Sequence, residues 1–337
     1  MSPMFHILIT DDISPAGLAL LKNAPDVRLE VVTRPGSAQL LDLIRHCDAV
    51  ITRSATTLDA TVFAAASQLK VAGRAGAGLD NVDVDAATRA GVLVMNTPEA
   101  NTLAATEHAF ALLLALCRDL PEAHASLKRG EWQRSRFMGV QLYGKTLGVI
   151  GFGRVGSRVA ARAQAFGMEV IAYDPYIAAD VTTRAKVERV PLLEALLARA
   201  DFISLHMPLT AETRRLVGAD QLAALKPGAR LVNCARGELV DESALLDALE
   251  SGALAGAALD VFGEEPPRSE VLKRLIAHPH VVATPHIAAS TVEAQADVGV
   301  QIARQVLEAL RGENYQNAVN VQQVQDGWRT KCPNAIC

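Results

Sequence analysis

The sequence predicts an α/β protein built from two doubly wound parallel sheets. Short runs rich in β-branched residues alternate along the chain with helical segments rich in alanine and leucine. One long helical stretch, from about residue 99 to residue 128, interrupts this alternation, which then starts again. A chain of 337 residues is long enough for two domains, since a domain takes about 150 residues. We therefore expect two units, each with its own sheet and with helices on both faces.

Five strands are predicted in the first half of the chain, with helices between them near residues 14–23, 37–46, 58–66 and 83–90. The strand segments are HILITDD, VRLEVVT, AVITR, KVAGRAG and VLVMNT. Strands that alternate with helices in this way are typical of βαβ units, in which the strands run parallel.

Six further strand candidates follow the long helical stretch: TLGVIGFG, EVIAYD, FISLH, RLVNCA, GAALDVF and VVATPH. They are continuously apolar, as a sheet that is buried on both faces requires. A last helix is predicted from about residue 291 to residue 311, and Gly312 would end it. Residues 321–337 are polar and aperiodic, so we expect a surface tail there.

The composition excludes several classes of protein. Half of the residues are apolar and 21% are charged, which excludes global disorder. Lys and Arg number 33 against 37 for Asp and Glu, so a dedicated nucleic-acid binder is not expected. The most apolar segment, residues 109–117, is much shorter than the roughly 20 residues that cross a bilayer. We expect a cytoplasmic protein whose partners are small molecules.

The cysteines are expected to be reduced thiols, because they are odd in number and lack the spacing of metal ligands. They are Cys47, Cys117, Cys234, Cys332 and Cys337. No secretion signal is visible at the start of the chain, and the histidines also lack metal-ligand spacing, so no metal is expected.

The segment GFGRVG, from Gly151 to Gly156, matches the GxGxxG pattern of dinucleotide-binding loops. The pattern alone is a weak signal, but here an apolar strand runs into the first glycine and a helical segment follows the third. The first glycine would permit the tight turn, and Gly153 would let a pyrophosphate approach the backbone. Gly156 would let the helix pack closely on the strand. The helix N-terminus would then bind the phosphates.

Asp174 ends the next predicted strand, where such folds carry an acidic residue. Its carboxylate would accept hydrogen bonds from the adenosine ribose and repel a 2′-phosphate, which predicts NAD over NADP. Arg154 in the loop could partly offset that repulsion. The alternative, a turn that binds nothing and uses glycines only for packing, fits this combination of strand, helix and acid less well.

Three polar segments follow apolar strands downstream, where an open α/β sheet binds its ligands. They present Arg236, then Asp260 with Glu264 and Glu265, and then His286. Hydride transfer between nicotinamide and a 2-keto acid needs a cation for the carboxylate, a proton donor for the developing alkoxide, and a partner that adjusts the pKa of the donor.

We assign these three roles to Arg236, His286 and Glu265. Arg236 would hold the carboxylate with its planar fork, and His286 would exchange the proton. Glu265 would raise the pKa of the imidazole. Each residue also has a structural interpretation, as a loop arginine, a solvated acid or a core histidine. Three of them at successive strand ends favour the catalytic one. His206, at a strand end, is expected to line the cofactor cleft without proton chemistry, and His108 is expected to be structural.

The ordered motifs GFGRVG, AYDP, HMPLT, NCARGELVDE, GAALDVFGEEPP and TPHIAAS resemble those of the D-isomer-specific 2-hydroxyacid dehydrogenases. The segments RSAT (53–56), GRAGAGLDNVD (73–83), ATRAGVLVMNTPEAN (87–101) and RFMG (136–139) extend the resemblance to the branch of that family that acts on D-3-phosphoglycerate. The likeness covers about residues 6–320, and this chain looks like a short form without C-terminal regulatory domains.

The resemblance implies a Rossmann NAD-binding domain, residues 98–287, inserted into a flavodoxin-like substrate-binding domain, residues 1–97 plus 288–320. It places the active site in the cleft between the two domains and implies a homodimer or homotetramer. It assigns catalysis to Arg236, Glu265 and His286. It assigns cofactor contacts to the glycine loop with Arg154 and Val155, to Asp174, to His206, Met207 and Pro208, to Cys234, Ala235 and Arg236, and to Asp260 and Ala77. Ala77 stands where relatives often present a hydroxyl, so that contact would be lost.

A phosphorylated substrate needs cations other than Arg236. The matching segments offer Arg53, Arg74, Gly76, Gly78 and Arg134 as substrate contacts. Arg53 and Arg74 follow apolar strands and are expected to face the cleft. Arg134 and its neighbour Arg136 would either reach across from a partner subunit or be solvated surface charges.

The resemblance implies NAD-dependent oxidation of D-3-phosphoglycerate to 3-phosphohydroxypyruvate, the entry to serine biosynthesis. Two alternatives stay open. The same residues could serve as a glyoxylate or hydroxypyruvate reductase or act on sulfolactate, since arginines that hold phosphate also hold sulfonate. A protein of another class, an NAD(H)-sensing scaffold or corepressor without turnover, would bind the nucleotide only.

Overall fold

The structure is a computed structural model that describes residues 4–324. It divides the chain into two compact units, the first formed by residues up to 101 together with those from 290, and the second by residues 102–289. The boundaries expected from the sequence, after residues 97 and 287, lie slightly earlier in both cases.

Unit 1 contains a parallel five-stranded sheet with the order β2-β1-β3-β4-β5. Its strands are β1 (Phe5–Ile9), β2 (Val27–Val31), β3 (Ala49–Thr52), β4 (Val71–Arg74) and β5 (Leu93–Asn96). Its helices are α1 (Pro15–Lys22), α2 (Ser37–Leu43), α3 (Ala60–Ala65), α4 (Val84–Arg89) and the last helix of the chain, α13 (Val292–Arg311). This strand order is that of the flavodoxin-like doubly wound sheet.

Unit 2 contains a parallel seven-stranded sheet with the order β12-β11-β10-β9-β6-β7-β8. Its strands are β6 (Thr146–Ile150), β7 (Glu169–Tyr173), β8 (Glu188–Arg189), β9 (Phe202–Leu205), β10 (Arg230–Asn233), β11 (Gly256–Leu259) and β12 (Val281–Ala283). The order places β6 beside both β7 and β9, which is the reversal point of a Rossmann sheet.

The helices of unit 2 lie on both faces of that sheet. They are α5 (Thr102–Cys117), α6 (Leu120–Lys128), α7 (Arg154–Ala165), α8 (Ala179–Arg184), α9 (Leu193–Leu197), α10 (Ala219–Ala223), α11 (Glu242–Glu250) and α12 (Glu270–Ala277). The fold class predicted from the sequence is thereby confirmed.

The cores follow from the alternation of side chains along the strands. In β1, Ile7 and Ile9 pack in one buried cluster with Ile302 of α13, whereas Leu8 packs in another with Phe63 of α3. Successive residues of a strand point to opposite faces, so a strand that is apolar at every position is buried on both sides.

Three expectations about the elements were wrong. The long helical stretch is two helices, because the chain turns at Asp119, which has a φ of 47°, and Pro121 lies in the first turn of α6. Proline lacks the N–H that a helix interior needs, so it is tolerated only at such a start. The short strand β8 was missed, because its two exposed residues carry no apolar pattern.

The third concerns the expected tail. Residues 321–324 are helical and Val324 is 3% exposed, so the tail does not begin at residue 321. The rest of that segment lies outside the described residues, as do Cys332 and Cys337. The other cysteines are free thiols, and burial raises the pKa of Cys117 to about 11 and of Cys47 to about 12.

Residues 4–324 contain no candidate for a membrane-spanning helix and no candidate metal site. None of the helices combines the length and the apolar character that crossing a bilayer takes. No cluster of three metal-ligating side chains occurs in the same residues.

Candidate active site

The glycine loop of unit 2 connects β6 to α7 as the sequence predicts. Gly151 has a φ of 90°, in the region that favours glycine. A Cβ on Gly156 would lie 2.1 Å from the carbonyl oxygen of Gly151, so the turn and the helix approach too closely for a side chain there. A Cβ on Gly153, in contrast, would meet no protein atom within 4 Å. The open space at Gly153 is where a dinucleotide pyrophosphate would fit.

Helix α7 begins directly at this loop, and its N-cap, Gly153, has no side chain with which to cap it. Its twelve residues give it a full N-terminal turn of backbone donors. An N-terminus of this kind binds anions through backbone N–H groups and the helix dipole. The loop and helix therefore fit the phosphates of NAD.

Asp174 follows β7 and lies beside the glycine loop. Its Oδ2 accepts a hydrogen bond from the backbone N–H of Phe152 at 2.8 Å, and its Oδ1 accepts one from the N–H of Tyr176 at 2.9 Å. Two backbone donors thus fix the carboxylate at the end of the strand, which is the position that a ribose-binding acid needs.

His206 follows β9, and its Nε2 lies 2.7 Å from the hydroxyl of Ser204. Burial lowers the pKa of His206 to about 4, so this imidazole is neutral near pH 7. The expectation that His206 lines the cofactor cleft without proton chemistry stays a prediction. Met207, the next residue, is buried, and Pro208 is exposed.

The turn that carries Arg236 follows β10. Asn233 organises it, since its Oδ1 accepts from the N–H of Ala235 at 3.0 Å and its Nδ2 donates to the carbonyl of Arg236 at 2.9 Å. The guanidinium of Arg236 donates to the carbonyl of Ala235 at 2.6 Å. Burial raises the pKa of Cys234, which leaves a neutral thiol in the same turn. The sequence interpretation missed Asn233, although its place at the end of an apolar strand was a usable signal.

Glu265 and His286 form the closest charged contact of the candidate site. The Nδ1 of His286 lies 2.6 Å from Oε2 of Glu265, and Oε1 of Glu265 accepts from the N–H of Phe262 at 3.0 Å. The hydrogen bond to Glu265 raises the pKa of His286, although burial opposes the change. Burial opposes ionisation of Glu265 too, but the bonds from His286 and Phe262 outweigh it and its pKa is lowered. The arrangement favours a protonated imidazole beside a carboxylate.

Asp260 holds the segment that carries His286. Its side chain is fully buried, and its carboxylate accepts hydrogen bonds from four protein groups. The donors are Nε2 of His108 at 3.2 Å, Oγ1 of Thr284 at 2.6 Å, the N–H of Ile287 at 2.9 Å and the N–H of Ala288 at 2.8 Å. His286 itself has a φ of 53°, an unusual conformation for a residue other than glycine. Asp260 therefore anchors the turn on both sides of His286.

His108 was expected to be structural, and its contact with Asp260 makes it part of this anchor. Thr284 was not singled out from the sequence. No local signal could have found this contact, because His108 and Asp260 are 152 positions apart along the chain.

The three predicted catalytic residues follow neighbouring strands. Arg236 follows β10, Glu265 lies beyond β11 and His286 follows β12, and these strands are adjacent in the order β12-β11-β10. The charge of Arg236 acts on His286 and partly opposes the rise in its pKa. The carboxyl edge of this sheet therefore brings the three side chains into one region of unit 2.

A cavity of about 400 Å³ adjoins the Glu265–His286 pair, with Phe262, Pro266, Pro267 and Ile276 among its lining residues. The lining is mostly apolar, so this side of the pair is partly desolvated. The other side of the pair stays open to water, since the side chains of His286 and Glu265 are 48% and 36% exposed.

The remaining candidates lie elsewhere. Arg134 is exposed in a short 3₁₀ turn, Arg134–Arg136, of unit 2. Arg53 and Arg74 belong to unit 1, at the ends of the adjacent strands β3 and β4. Unit 1 also contains Gly76, Ala77 and Gly78, in the connection after β4. The roles of these residues toward substrate and cofactor stay predictions.

The model of the family described as "D-isomer specific 2-hydroxyacid dehydrogenase, NAD binding domain" matches residues 110–288 of the chain. The chain is 47% identical over 321 residues to D-3-phosphoglycerate dehydrogenase of Methanocaldococcus jannaschii, covering 95% of this chain and 60% of that protein. It is 50% identical over 315 residues to the enzyme of the same name from Mycobacterium tuberculosis, covering 94% and 58%. The chain thus spans less than two thirds of the length of these relatives.

Solved structures have the same fold over nearly the whole chain. A glyoxylate reductase from Paecilomyes thermophila matches with a TM-score of 0.87 and 31% identity, covering 95% of this chain and 99% of that one. The TT0316 protein from Thermus thermophilus matches with a TM-score of 0.84 and 36% identity, covering 93% and 99%. A D-lactate dehydrogenase from Aquifex aeolicus, in complex with NAD and lactic acid, matches with a TM-score of 0.81 and 27% identity, covering 95% and 98%.

Proposed function

Because the chain belongs to the D-isomer-specific 2-hydroxyacid dehydrogenase family, we propose that it is an NAD-dependent dehydrogenase that oxidises D-3-phosphoglycerate to 3-phosphohydroxypyruvate. The observation that carries the proposal is the short contact between His286 and Glu265 at the sheet edge that also carries Arg236. The choice of substrate is supported by relatives named D-3-phosphoglycerate dehydrogenase, at 47–50% identity. Such an activity would serve serine biosynthesis in the cytoplasm.

The proposed mechanism begins with the carboxylate of the substrate. The guanidinium of Arg236 would bind it and polarise the adjacent carbon–oxygen bond. NAD, when bound, takes up the hydride that leaves C2 of the hydroxy acid. Nε2 of His286 would accept the hydroxyl proton in the oxidation and return it in the reduction. Glu265 would hold Nδ1 of the imidazole, so that Nε2 faces the substrate and the positive charge gained there is stabilised.

Unit 1 is proposed to bind the rest of the substrate. Arg53 and Arg74 follow adjacent strands, with Thr52 directly opposite Arg74 in the sheet register. Two guanidinium groups at one sheet edge fit a phosphate group. In this proposal Gly76 and Gly78 contact the substrate from unit 1, and Arg134 reaches it from a partner subunit.

A substrate panel tests the proposed function. NADH oxidation is followed with 3-phosphohydroxypyruvate, hydroxypyruvate, glyoxylate and 3-sulfopyruvate at one pH, and we expect the highest kcat/KM with 3-phosphohydroxypyruvate. The likeness to a glyoxylate reductase structure makes glyoxylate the main competitor. Binding of NADH without turnover of any acid would instead favour the nucleotide-sensing scaffold.

The same panel repeated on Arg236→Ala and His286→Ala tests the assigned roles. We expect both variants to lose turnover and to keep their affinity for NADH, because the two side chains act on the substrate and the transferred proton. Full activity of either variant would contradict the mechanism.

Cofactor choice is tested by direct titration. Asp174 should disfavour the 2′-phosphate of NADPH, so NADH should bind more tightly than NADPH. Equal affinities would remove Asp174 from its proposed role.

The protein is further proposed to form a homodimer or homotetramer. Three large apolar side chains of unit 2, Trp132, Met138 and Tyr143, are each more than three-quarters exposed. In this proposal a partner subunit covers these side chains and removes their apolar surface from water. Sedimentation of the intact protein as a monomer at micromolar concentration would contradict this assembly.

A further inference from the structure

The connection after β3 in unit 1, which carries Arg53, is held from inside the fold by Asp11. This carboxylate is 3% exposed. Its Oδ2 accepts from the N–H of Arg53 at 2.6 Å and of Thr56 at 3.2 Å, and from the hydroxyl of Thr52 at 3.0 Å. Its Oδ1 accepts from the hydroxyl of Thr56 at 2.9 Å. The backbone of residues 53–56 is therefore fixed on its buried side.

Asn81 fixes the same connection through its carbonyl groups. Its Nδ2 donates to the carbonyl of Arg53 and to the carbonyl of Thr56, both at 2.6 Å. The backbone carbonyl of Asn81 also accepts from the N–H of Leu58 at 2.9 Å. Because Asn81 belongs to the connection between β4 and α4, which starts from Arg74, it ties together the two segments that carry the candidate phosphate-binding arginines.

Strand pairing sets the spacing of the two strand ends, and Asn81 holds the loop beyond β3 against the connection that follows β4. Thr52 pairs with Arg74 in the sheet register, and Arg53 is the first residue beyond β3. The guanidinium of Arg74 lies over Gly76, where a Cβ would be 1.8 Å from its Nη1. The guanidinium of Arg53 donates to the carbonyl of Asp12 at 3.1 Å. The guanidinium groups of Arg53 and Arg74 thus both contact the backbone of neighbouring loops.

Two backbone donors of this loop are engaged within the fold, since the N–H groups of Arg53 and Thr56 donate to Asp11. The guanidinium groups of Arg53 and Arg74 would supply the positive charge that an anion at this edge needs, and their forked hydrogen bonds depend strongly on position and orientation. A functional side chain held about 1 Å too loosely loses much of its effect.

We infer that Asn81 is a positioning residue for the phosphate group of the substrate: its carboxamide holds the Arg53 loop against the connection that follows Arg74 and thereby makes the protein prefer a phosphorylated 2-hydroxy acid over its unphosphorylated analogue. This inference rests on the proposed function. It assigns to Asn81 no contact with the reacting atoms.

Two variants test it. Asn81→Asp keeps the size of the side chain but places an oxygen against two carbonyl groups. Asn320→Asp is the matched control, since Asn320 is a buried asparagine of the same unit. Its Oδ1 accepts from the N–H of Val94, and its Nδ2 donates to Thr88 and to the carbonyl of Val92, away from the arginine segments.

The measurements are KM and kcat for 3-phosphohydroxypyruvate and for hydroxypyruvate, with NADH affinity and thermal stability alongside. We expect Asn81→Asp to raise KM for the phosphorylated acid about tenfold, the effect of about one charge-assisted hydrogen bond. The kcat of Asn81→Asp for the phosphorylated acid should change less than twofold. Its kcat/KM for hydroxypyruvate should also change less than twofold. Asn320→Asp should lower thermal stability and leave the preference intact.

The outcomes separate the inference from the proposed function. A wild-type protein that prefers the phosphorylated acid, with an Asn81→Asp variant of the same preference, would overturn the inference alone. An Asn81→Asp variant that loses efficiency equally with both acids would also overturn it, because that is the behaviour of a merely structural residue. If the wild-type protein turned over neither acid, the proposed function would fail. Calorimetric titration with 3-phosphoglycerate would then decide, since the inference requires weaker binding by Asn81→Asp than by Asn320→Asp.

Discussion

Protonation of single residues controls the chemistry proposed here. Both side chains of the Glu265–His286 pair are more than a third exposed, at 36% and 48%. An exposed pair contributes at most about 1 kcal/mol to folding, because water screens it. The raised pKa of His286 adds stability below pH 6.5, which is lost as the pH rises through the folded-state pKa. The lowered pKa of Glu265 adds stability above pH 4.5, which is lost as the pH falls.

Glu265→Gln should shift the pH dependence of catalysis. Without the anionic partner the pKa of His286 should fall towards its ordinary value of 6.5. Reduction of the keto acid needs protonated His286, so the alkaline limb of kcat/KM for reduction should move to lower pH. The measurement is the pH profile of NADH oxidation with a saturable keto acid.

Glu264→Gln is the control for this experiment. Glu264 accepts hydrogen bonds from the N–H groups of Arg268 and Ser269 and is exposed. Its replacement should leave the profile in place. A Glu265→Gln variant with the wild-type profile would show that Glu265 does not set the pKa of His286.

Close contacts between glycines allow secondary-structure elements to pack tightly in both units. In unit 2 the strand–loop–helix segment of β6 and α7 needs Gly156 for packing and leaves space at Gly153. In unit 1, helices α1 and α13 approach through Gly17 and Gly299, where a Cβ on Gly17 would lie 2.4 Å from the carbonyl oxygen of Gly299. A side chain cannot be added at such a crossing unless the backbone moves.

Gly153→Ala and Gly156→Ala should have different effects. At Gly153 the φ of −81° suits alanine and nothing obstructs a Cβ, so stability should fall by no more than the loss of a glycine N-cap, about 1 kcal/mol, and NADH affinity should fall. At Gly156 the overpacking should cost about 1–3 kcal/mol of unfolding free energy. Urea denaturation and NADH titration of both variants check this. Unchanged NADH affinity in Gly153→Ala would mean that the space there is not a pyrophosphate site.

Gly17→Ala should destabilise unit 1. Alanine is normally the better helix former, by about 1 kcal/mol, but the clash with Gly299 should cost about 1–3 kcal/mol, so the net loss of unfolding free energy should be up to about 2 kcal/mol. Gly36→Ala is the control, since a Cβ on Gly36 would meet no atom within 4 Å. Urea denaturation should show a loss only for Gly17→Ala, and a stabilised Gly17→Ala variant would contradict the packing argument.

The whole molecule divides its proposed work between its two units. All of the proposed catalytic side chains and the glycine loop lie in unit 2, and Arg53 and Arg74 lie in unit 1. Each sheet presents these residues at the carboxyl ends of its strands, where βα connections of a doubly wound fold bind ligands. In the proposed function, unit 2 would bind the cofactor and unit 1 would contact the part of the acid that differs between substrates.

NADH should stabilise the folded protein by mass action. At a concentration of about 100 times Kd, a ligand that binds only the folded state raises the unfolding free energy by about 2.7 kcal/mol. Urea denaturation followed by circular dichroism, with and without NADH, measures this. NADPH at the same concentration should stabilise the protein less, and an equal effect of the two nucleotides would contradict the role of Asp174.

The sequence by itself determined the α/β class, the strands except β8, and the candidates Gly151, Asp174, Arg236 and His286. These features depend on the period of apolar residues and on the place where an apolar run ends, and both can be seen within a few neighbouring residues. The break at Asp119 was also marked locally, by Pro121, but the continuous helical pattern around it concealed the signal.

Only the tertiary structure decided which groups hold the candidate residues in place. The hydrogen bonds of Asp260 and of Asn81 join segments that are far apart along the chain. The open space at Gly153 likewise depends on which segments pack around the glycine loop. The physical reason is that a hydrogen bond forms only within about 3 Å. Which distant residues come within that distance is set by the packing of helices and strands, and no local pattern of residue types records it.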